Sequence, residues 1–239
     1  MFSYRCKSTA LILLVTVIAL SVVLIGPASA QDNFRQNHRA ITLTQQGWRN
    51  RAQDLVYNSW RYAFANFSFY GRVRPGNLYV GGTRTICFEG TTAGLTRLAW
   101  FFPQTGPSRS LIMNYTNPAR PTEAGALAGE TVALTMNIAY NDERCMPRFP
   151  GYDLENFTLT NGAFRGYTVG RVLDIADRVL GGTHPRVYGL QTHEALTDIL
   201  KSINSNYEFI DYATFIDRGY LRPDKPLGIL YPSHHPHVP

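Results

Sequence analysis

Between Ala124 and Ala139 the chain reads AGALAGETVALTMNIA, which as a helix is apolar on most of its sides. Leu127, Leu134 and Ile138 form one stripe, and Val132, Met136 and Ala139 form another. Only a narrow polar line is left, through Glu123, Glu130 and Asn137 at sevenfold spacing. A helix with so little polar surface has to be surrounded by other elements. The small residues Ala124, Gly125, Ala126, Ala128 and Gly129 let another part of the chain approach closely. Asn114, Thr116 and Asn117-Pro118 predict a turn before it, and Pro121-Thr122 a helix start. Glu123 and Glu130 would stand about 10 Å apart along such a helix, wider than the ~5–9.5 Å of paired glycosidase carboxylates. The segment therefore reads as a packing spine, with Glu130 expected to bond to a loop.

The flanking pattern predicts what surrounds it. ITLTQQGWRN (Ile41 to Asn50) reads as a short leading strand or ordered loop ending at Gly47-Trp48. LVYNSWRYAFANFSFYG is aromatic-dense and predicts a helix to about Ala65, then a strand to Gly71. Pro75-Gly76-Asn77 is a turn, with short strands at Leu78–Val80 and Thr85–Phe88 around Gly81-Gly82. Thr91 to Phe102 predicts a buried helix halted by Pro103, and PQTGPSRS a loop. Thr168 is placed to cap an amphipathic helix that ends at Gly181-Gly182, and Thr192 to cap a second with Leu196, Ile199, Leu200 and Ile203 inward. The expected fold is α+β: a predominantly α-helical single domain with a small antiparallel hairpin region. It spans residues 41–222, after a flexible stretch at 31–40 and before a Pro/His-rich tail at 223–239.

The first thirty residues predict the address. Arg5 and Lys7 precede ALILLVTVIALSVVLIG, and Ala28 and Ala30 fit a small-residue cleavage pattern, so 1–30 reads as a signal peptide. The expected location is secreted or cell surface, with membrane contact only through that segment if it is not cleaved. Beyond Cys6, the cysteines are Cys87 and Cys145, and in an exported chain these are expected to form a disulfide. Two buried thiols, or a reactive one, are the alternatives. The formal net charge is +6, but no basic run marks a nucleic-acid patch, and no nucleic-acid partner is expected.

Motifs with chemistry are sparse. HEALT from His193 has Thr197 where a zinc-protease helix needs its second histidine, so His193 is expected on a first-turn surface. His234, His235 and His237 in the tail read as solvated, with weak metal binding the alternative. Asn141, Asp142, Glu143, Asp153 and Glu155 could frame a calcium ion but have no EF-hand spacing. Asn66, Asn114 and Asn156 head glycosylation sequons. No elbow serine, phosphate loop or dinucleotide fingerprint is present, and no cofactor is expected. The aromatic group Trp48, Tyr57, Trp60, Tyr62 and Tyr70 is the candidate interaction surface, with a core role as its alternative.

Five blocks occur in a known order: TQQGWRN, LAWFFPQTGPSRSL, NYTNP, AGALAGETVALTMNI and GAFRGYTVGRVLDIADRVLGG. Together they resemble an uncharacterised module that recurs in secreted and cell-surface multidomain proteins of bacteria. Gln46 and Arg49 replace glycines of that pattern, and Glu130 a glutamine. The resemblance implies an extracellular, noncatalytic module. The expected function is a structural or adhesion-type role, binding an extracellular glycan or surface protein. A secreted hydrolase assembled from Asp142, Glu143, Asp153 and His184 is the alternative.

Overall fold

The computed structural model describes residues 42–51, 56–65, 68–69, 72–73, 75–143, 145–146, 153–209, 215–217 and 221–223. The expected signal segment, Tyr70, Asn66 and the tail histidines lie outside these residues. Six α-helices are present among the described residues: α1 (Gln45–Asn50), α2 (Tyr57–Ala63), α3 (Thr92–Phe101), α4 (Gly125–Asp142), α5 (Val169–Leu180) and α6 (His193–Asn204). The strands are short: β1 (Ser68–Phe69), β2 (Arg72–Val73), β3 (Leu78–Gly81), β4 (Thr85–Phe88), β5 (Tyr115–Thr116), β6 (Phe157–Leu159), β7 (Tyr207–Phe209), β8 (Phe215–Asp217) and β9 (Leu221–Pro223). The class is α+β and mostly helical, as the periodicity indicates.

The spine is α4. Every residue from Leu127 to Asn141 is buried, and α1, α2, α5 and α6 all pack on it. Its small-residue opening has two specific uses. Gly125 has φ +56°, and a Cβ there would collide with the Pro107 carbonyl. A Cβ on Gly129 would collide with the side-chain oxygen of Gln45. The glycines thus admit the 106–107 loop and helix α1 to the spine.

The leading segment is helical rather than extended. Thr44 Oγ1 accepts from the Gly47 N–H at 3.2 Å and caps α1, and α1 points Trp48 into the core, where it meets Tyr140 edge-on at 4.9 Å. Thr91, Thr168 and Thr192 cap α3, α5 and α6 in the same way, satisfying N–H groups that have no partner inside the helix.

Buried amides tie these helices together, and backbone groups fix their orientation. The Leu43 N–H donates to Asn137 Oδ1 at 2.8 Å. Asn137 Nδ2 must then be the donor to the Leu43 carbonyl and to Asn204 Oδ1, both at 2.9 Å. Asn204 Nδ2 in turn donates to Glu130 Oε2 at 2.8 Å. From the other side the Gln104 N–H donates to Gln45 Oε1 at 2.7 Å, so that Gln45 Nε2 donates to Glu130 Oε1 at 2.8 Å. The expected polar line of α4 is therefore a bolt, and Glu130 bonds to two helices rather than to a loop.

The β region is a three-stranded sheet in the order β3-β4-β5, with β3–β4 antiparallel and β4–β5 parallel. The NYTNP turn clips this sheet. Asn114 Oδ1 accepts from the Thr85 N–H at one end of β4 (2.9 Å), and Asn117 Oδ1 from the Glu89 N–H at the other (2.9 Å). Asn117 Nδ2 also donates to the Glu89 carboxylate at 2.8 Å.

Cys87 lies in β4 and Cys145 just after α4, and both are buried. They are not joined in a disulfide. Both side chains are buried in the structure, and the bridge read from the exported setting stays an expectation.

Candidate functional site

Two of the sequence-derived candidates are displaced by packing. Trp48 is 1% exposed and Trp60 2%. Trp60 stacks near Phe64 and donates its indole N–H to the Gly76 carbonyl at 2.7 Å. These rings serve the core, so the aromatic surface is reduced to the half-buried Tyr57 and Tyr62, with Tyr70 outside the described residues. Large aromatics bury more area than any other side chains, and four helices compete for them around α4. Of the four residues of the alternative hydrolase, Asp142, Glu143 and Asp153 gather at one end of α4 and His184 does not join them. Asp142 and Glu143 close α4, and the neighbouring Asn141 Oδ1 accepts from the Leu154 N–H, next to Asp153 (2.9 Å). His184 belongs to the opposite end of α4, roughly 25 Å away at 1.5 Å per residue. Among the described residues, no group of three or more His, Cys, Asp or Glu could hold a metal ion; this covers the acidic calcium candidates that are described.

The residues that do converge lie at that opposite end. They come from the loop after α3, the end of α5 and the start of α6. Helix α5 ends with carbonyls that have no partner further along the helix. Ser110 Oγ donates to the Val179 carbonyl at 2.7 Å, and the Leu111 N–H to the Leu180 carbonyl at 2.8 Å. The Arg84 N–H takes the Gly181 carbonyl at 3.3 Å, and Arg84 Nη1 donates to the Leu111 carbonyl at 2.8 Å. The 108–112 loop is therefore held by α5 and by the β3–β4 hairpin together.

Helix α6 holds the loop from the third side. His193 Nε2 is 3.1 Å from Ser110 Oγ; Thr197 directs its hydroxyl proton to the His193 carbonyl at 3.1 Å and accepts from the Ser108 hydroxyl at 2.8 Å. His184 lies beside them, its ring centroid 6.0 Å from that of His193. Its Nδ1 accepts from the Arg186 N–H at 3.2 Å and caps the 3-10 turn Pro185–Tyr188. Burial pushes the His193 imidazole below its ordinary range; Glu194 opposes this and His184 adds to it. Glu194 is held below the usual carboxylate range by its own backbone N–H, with Thr192 and the Ser108 N–H contributing. The sequence places His193 on the surface; in the structure it is half-buried and partnered.

A serine beside a histidine raises the question of nucleophilic catalysis. A carbonyl oxygen can only accept, so Ser110 directs its single proton to Val179. His193 Nε2 must then donate to Ser110 rather than take a proton from it. An activated nucleophile needs the reverse polarity. The cluster is a clamp on the loop.

What the clamp presents is apolar and cationic. Among the described residues the exposed large apolar side chains are Trp100 (66%), Ile112 (68%), Met113 (55%) and Val187 (70%). Three of these four stand on the two loops joined by Ser110, Leu111 and His193, which makes this face the candidate site. Arg84, Arg109 and Arg186 are exposed on or beside the same loops. The carboxylate of Glu123 is engaged internally, with the Ile112 N–H donating to Oε1 at 2.6 Å and the Tyr115 hydroxyl to Oε2. That bond to Glu123 pushes the Tyr115 phenol up to about 12. Burial works against ionisation of Glu123, but the hydrogen bonds from Tyr115, from the Ile112 N–H and from its own backbone N–H together outweigh it and hold the carboxyl below its usual range. In the sequence PSRSLIM carries no periodicity, and the only pointer to this face is three adjacent apolar residues, Leu111 to Met113, in a loop.

No protein-family model matches this chain, and neither a curated protein nor a solved structure does.

Proposed function

We propose that this chain is an exported, cell-surface recognition or adhesion module without catalysis of its own. Its contact face is the pair of loops at 108–113 and 183–188. The observation that carries the reading is the placing of Ile112, Met113 and Val187 in solvent on loops whose backbones are fastened at both ends. A rigid exposed apolar group loses little conformational entropy on binding, which suits it to contact a partner. The apolar leader and the resemblance to a secreted module support the address. With Trp48 and Trp60 in the core, stacking of sugars on flat rings loses its platform, and a protein partner on the loop face is favoured.

Two measurements test this. The tagged full-length chain, expressed in its native host and fractionated, is expected outside the cytoplasm and accessible to added protease; a protected cytoplasmic chain overturns the address. Purified protein is expected to turn over none of a panel of glycosides, esters and peptides. Turnover abolished by Ser110→Ala or His193→Ala would replace the binding reading with an enzymatic one.

A further inference from the structure

We infer that the loop face docks an acidic segment of a partner protein in which carboxylates alternate with aliphatic side chains. The inference deepens the reading of this face as the contact surface and rests on it.

The charge balance of the face selects the partner. Arg84, Arg109 and Arg186 are exposed there, and none has a carboxylate partner among the described residues; the one ion pair found among those residues is Arg178 with Asp174 on α5. The two carboxylates of the face, Glu123 and Glu194, are both occupied by hydrogen bonds from within the protein. Glu123 and Glu194 stay ionised, so three guanidinium groups stand against two carboxylates, and the described face keeps an excess of positive charge beside three exposed aliphatic or thioether side chains. Arginine forms bidentate contacts with carboxylates, so the missing counter-charge is best supplied by Asp or Glu.

The same features weigh against the other occupants. A second copy docking through the same face would gather six arginines and four carboxylates in one interface and so leave an excess of positive charge. A bilayer would have to bury the ionised Glu194 at the edge of the face, while Ile112, Met113 and Val187 offer less apolar surface than a single myristoyl chain, which itself gives only marginal membrane binding. A peptide can place carboxylates against Arg109 and Arg186 and aliphatic groups against Ile112 and Val187 without either cost.

The full-length protein is used as bait in selections from a displayed library of random extended peptides. Enrichment of Asp and Glu alternating with Leu, Ile or Val is expected. The best synthetic peptide should bind at least tenfold more weakly to Ile112→Ser/Val187→Ser and to Arg109→Ala/Arg186→Ala, and should lose affinity steeply with added salt. Trp100→Ser, a change to an exposed apolar group on α3, is expected to leave binding unchanged. Circular dichroism of each variant checks that the fold is retained. Enriched peptides that are basic or uncharged, but still depend on Ile112 and Val187, overturn the partner class and leave the face. Enriched peptides indifferent to both double variants overturn the face itself, as does a selection with no enrichment. Binding to vesicles of anionic phospholipid that is lost in Ile112→Ser/Val187→Ser, or a dimer in sedimentation equilibrium lost in the same variant, replaces the peptide with a membrane or a second copy.

Discussion

Replacing Glu130 by glutamine tests the logic of the buried bolt, because the change is nearly isosteric and turns one acceptor into a donor. Glu130 is 7% exposed and receives Gln45 Nε2 on one oxygen and Asn204 Nδ2 on the other, each at 2.8 Å. Neither amide can flip. Gln45 is held by the Gln104 N–H, and Asn204 by Asn137, which is held by the Leu43 N–H. The substituted glutamine would therefore set its own NH2 against one of two fixed donors. A hydrogen bond to a charged group contributes roughly 1.5–3 kcal/mol, and a stranded buried donor costs roughly 1–3 kcal/mol. Against this, the variant no longer buries a charge. Burial raises the Glu130 pKa even though the Asn204 and Gln45 bonds lower it. The net expectation is a loss of about 1–3 kcal/mol, read by urea denaturation near pH 8. For a domain of this size that is a fall of about 2–12 °C in Tm.

The pH dependence follows from the raised pKa. The native state binds a proton above the ordinary glutamate range, so this group's contribution to stability is greatest below that range and declines as pH rises through its raised pKa. The gap between wild type and Glu130→Gln should therefore be wider in acid than near pH 8. Adding Asn204→Asp restores an acceptor opposite the new NH2, and the double variant should recover part of the loss. Equal stability of wild type and Glu130→Gln, with no coupling in the double-mutant cycle, would refute the assignment of donors.

Other outcomes are expected on the same grounds. Gly129→Ala drives a methyl group into the Gln45 side chain and should cost roughly 1–3 kcal/mol in denaturation, whereas Ala126→Gly on a half-buried position of the same helix should cost less than about 1 kcal/mol. In NMR titration the His193 ring should have its midpoint below the ordinary histidine value, moving up in His184→Gln and down in Glu194→Gln. Because that pKa is lowered in the native state, stability should fall as pH drops through the interval between the ordinary and lowered values. Asn117→Ala strands the Glu89 N–H and removes a contact to the Glu89 carboxylate. It should raise amide exchange at the end of β4 more than in α6.

The helices are legible in the sequence because their cause is local. The apolar period of α4, the threonine caps of α5 and α6 and the stop at Gly181-Gly182 depend on residues within a few positions of one another. The Pro75–Asn77 turn and strands β3 and β4 are legible for the same reason. The leading segment reads as extended because TLTQQGW alternates weakly, while the bond from the Gly47 N–H to Thr44 and the burial of Trp48 settle it as a helix. The aromatic group reads as a surface because ring content alone does not tell a core from its rim; that depends on α4 lying beneath it. The candidate face is hardly legible at all. PQTGPSRS reads as an ordinary loop until the open carbonyls of α5 and the first turn of α6 are brought to it.

By itself, then, the sequence determined that a nearly all-round apolar helix must be enclosed, which small residues open it to its neighbours, and where the capped helices begin and end. Each of these follows from periodicity and from hydrogen bonds that close over three or four residues. The tertiary structure alone decided that Glu130 and Asn137 form a bolt, that NYTNP clips both ends of β4 and that Ile112 and Val187 stand on joined loops. Those partners are far apart in the chain, Leu43 and Asn137 by 94 positions and Ser110 and His193 by 83. A polar side chain carries no local mark of which distant donor will meet it once the apolar surfaces have closed.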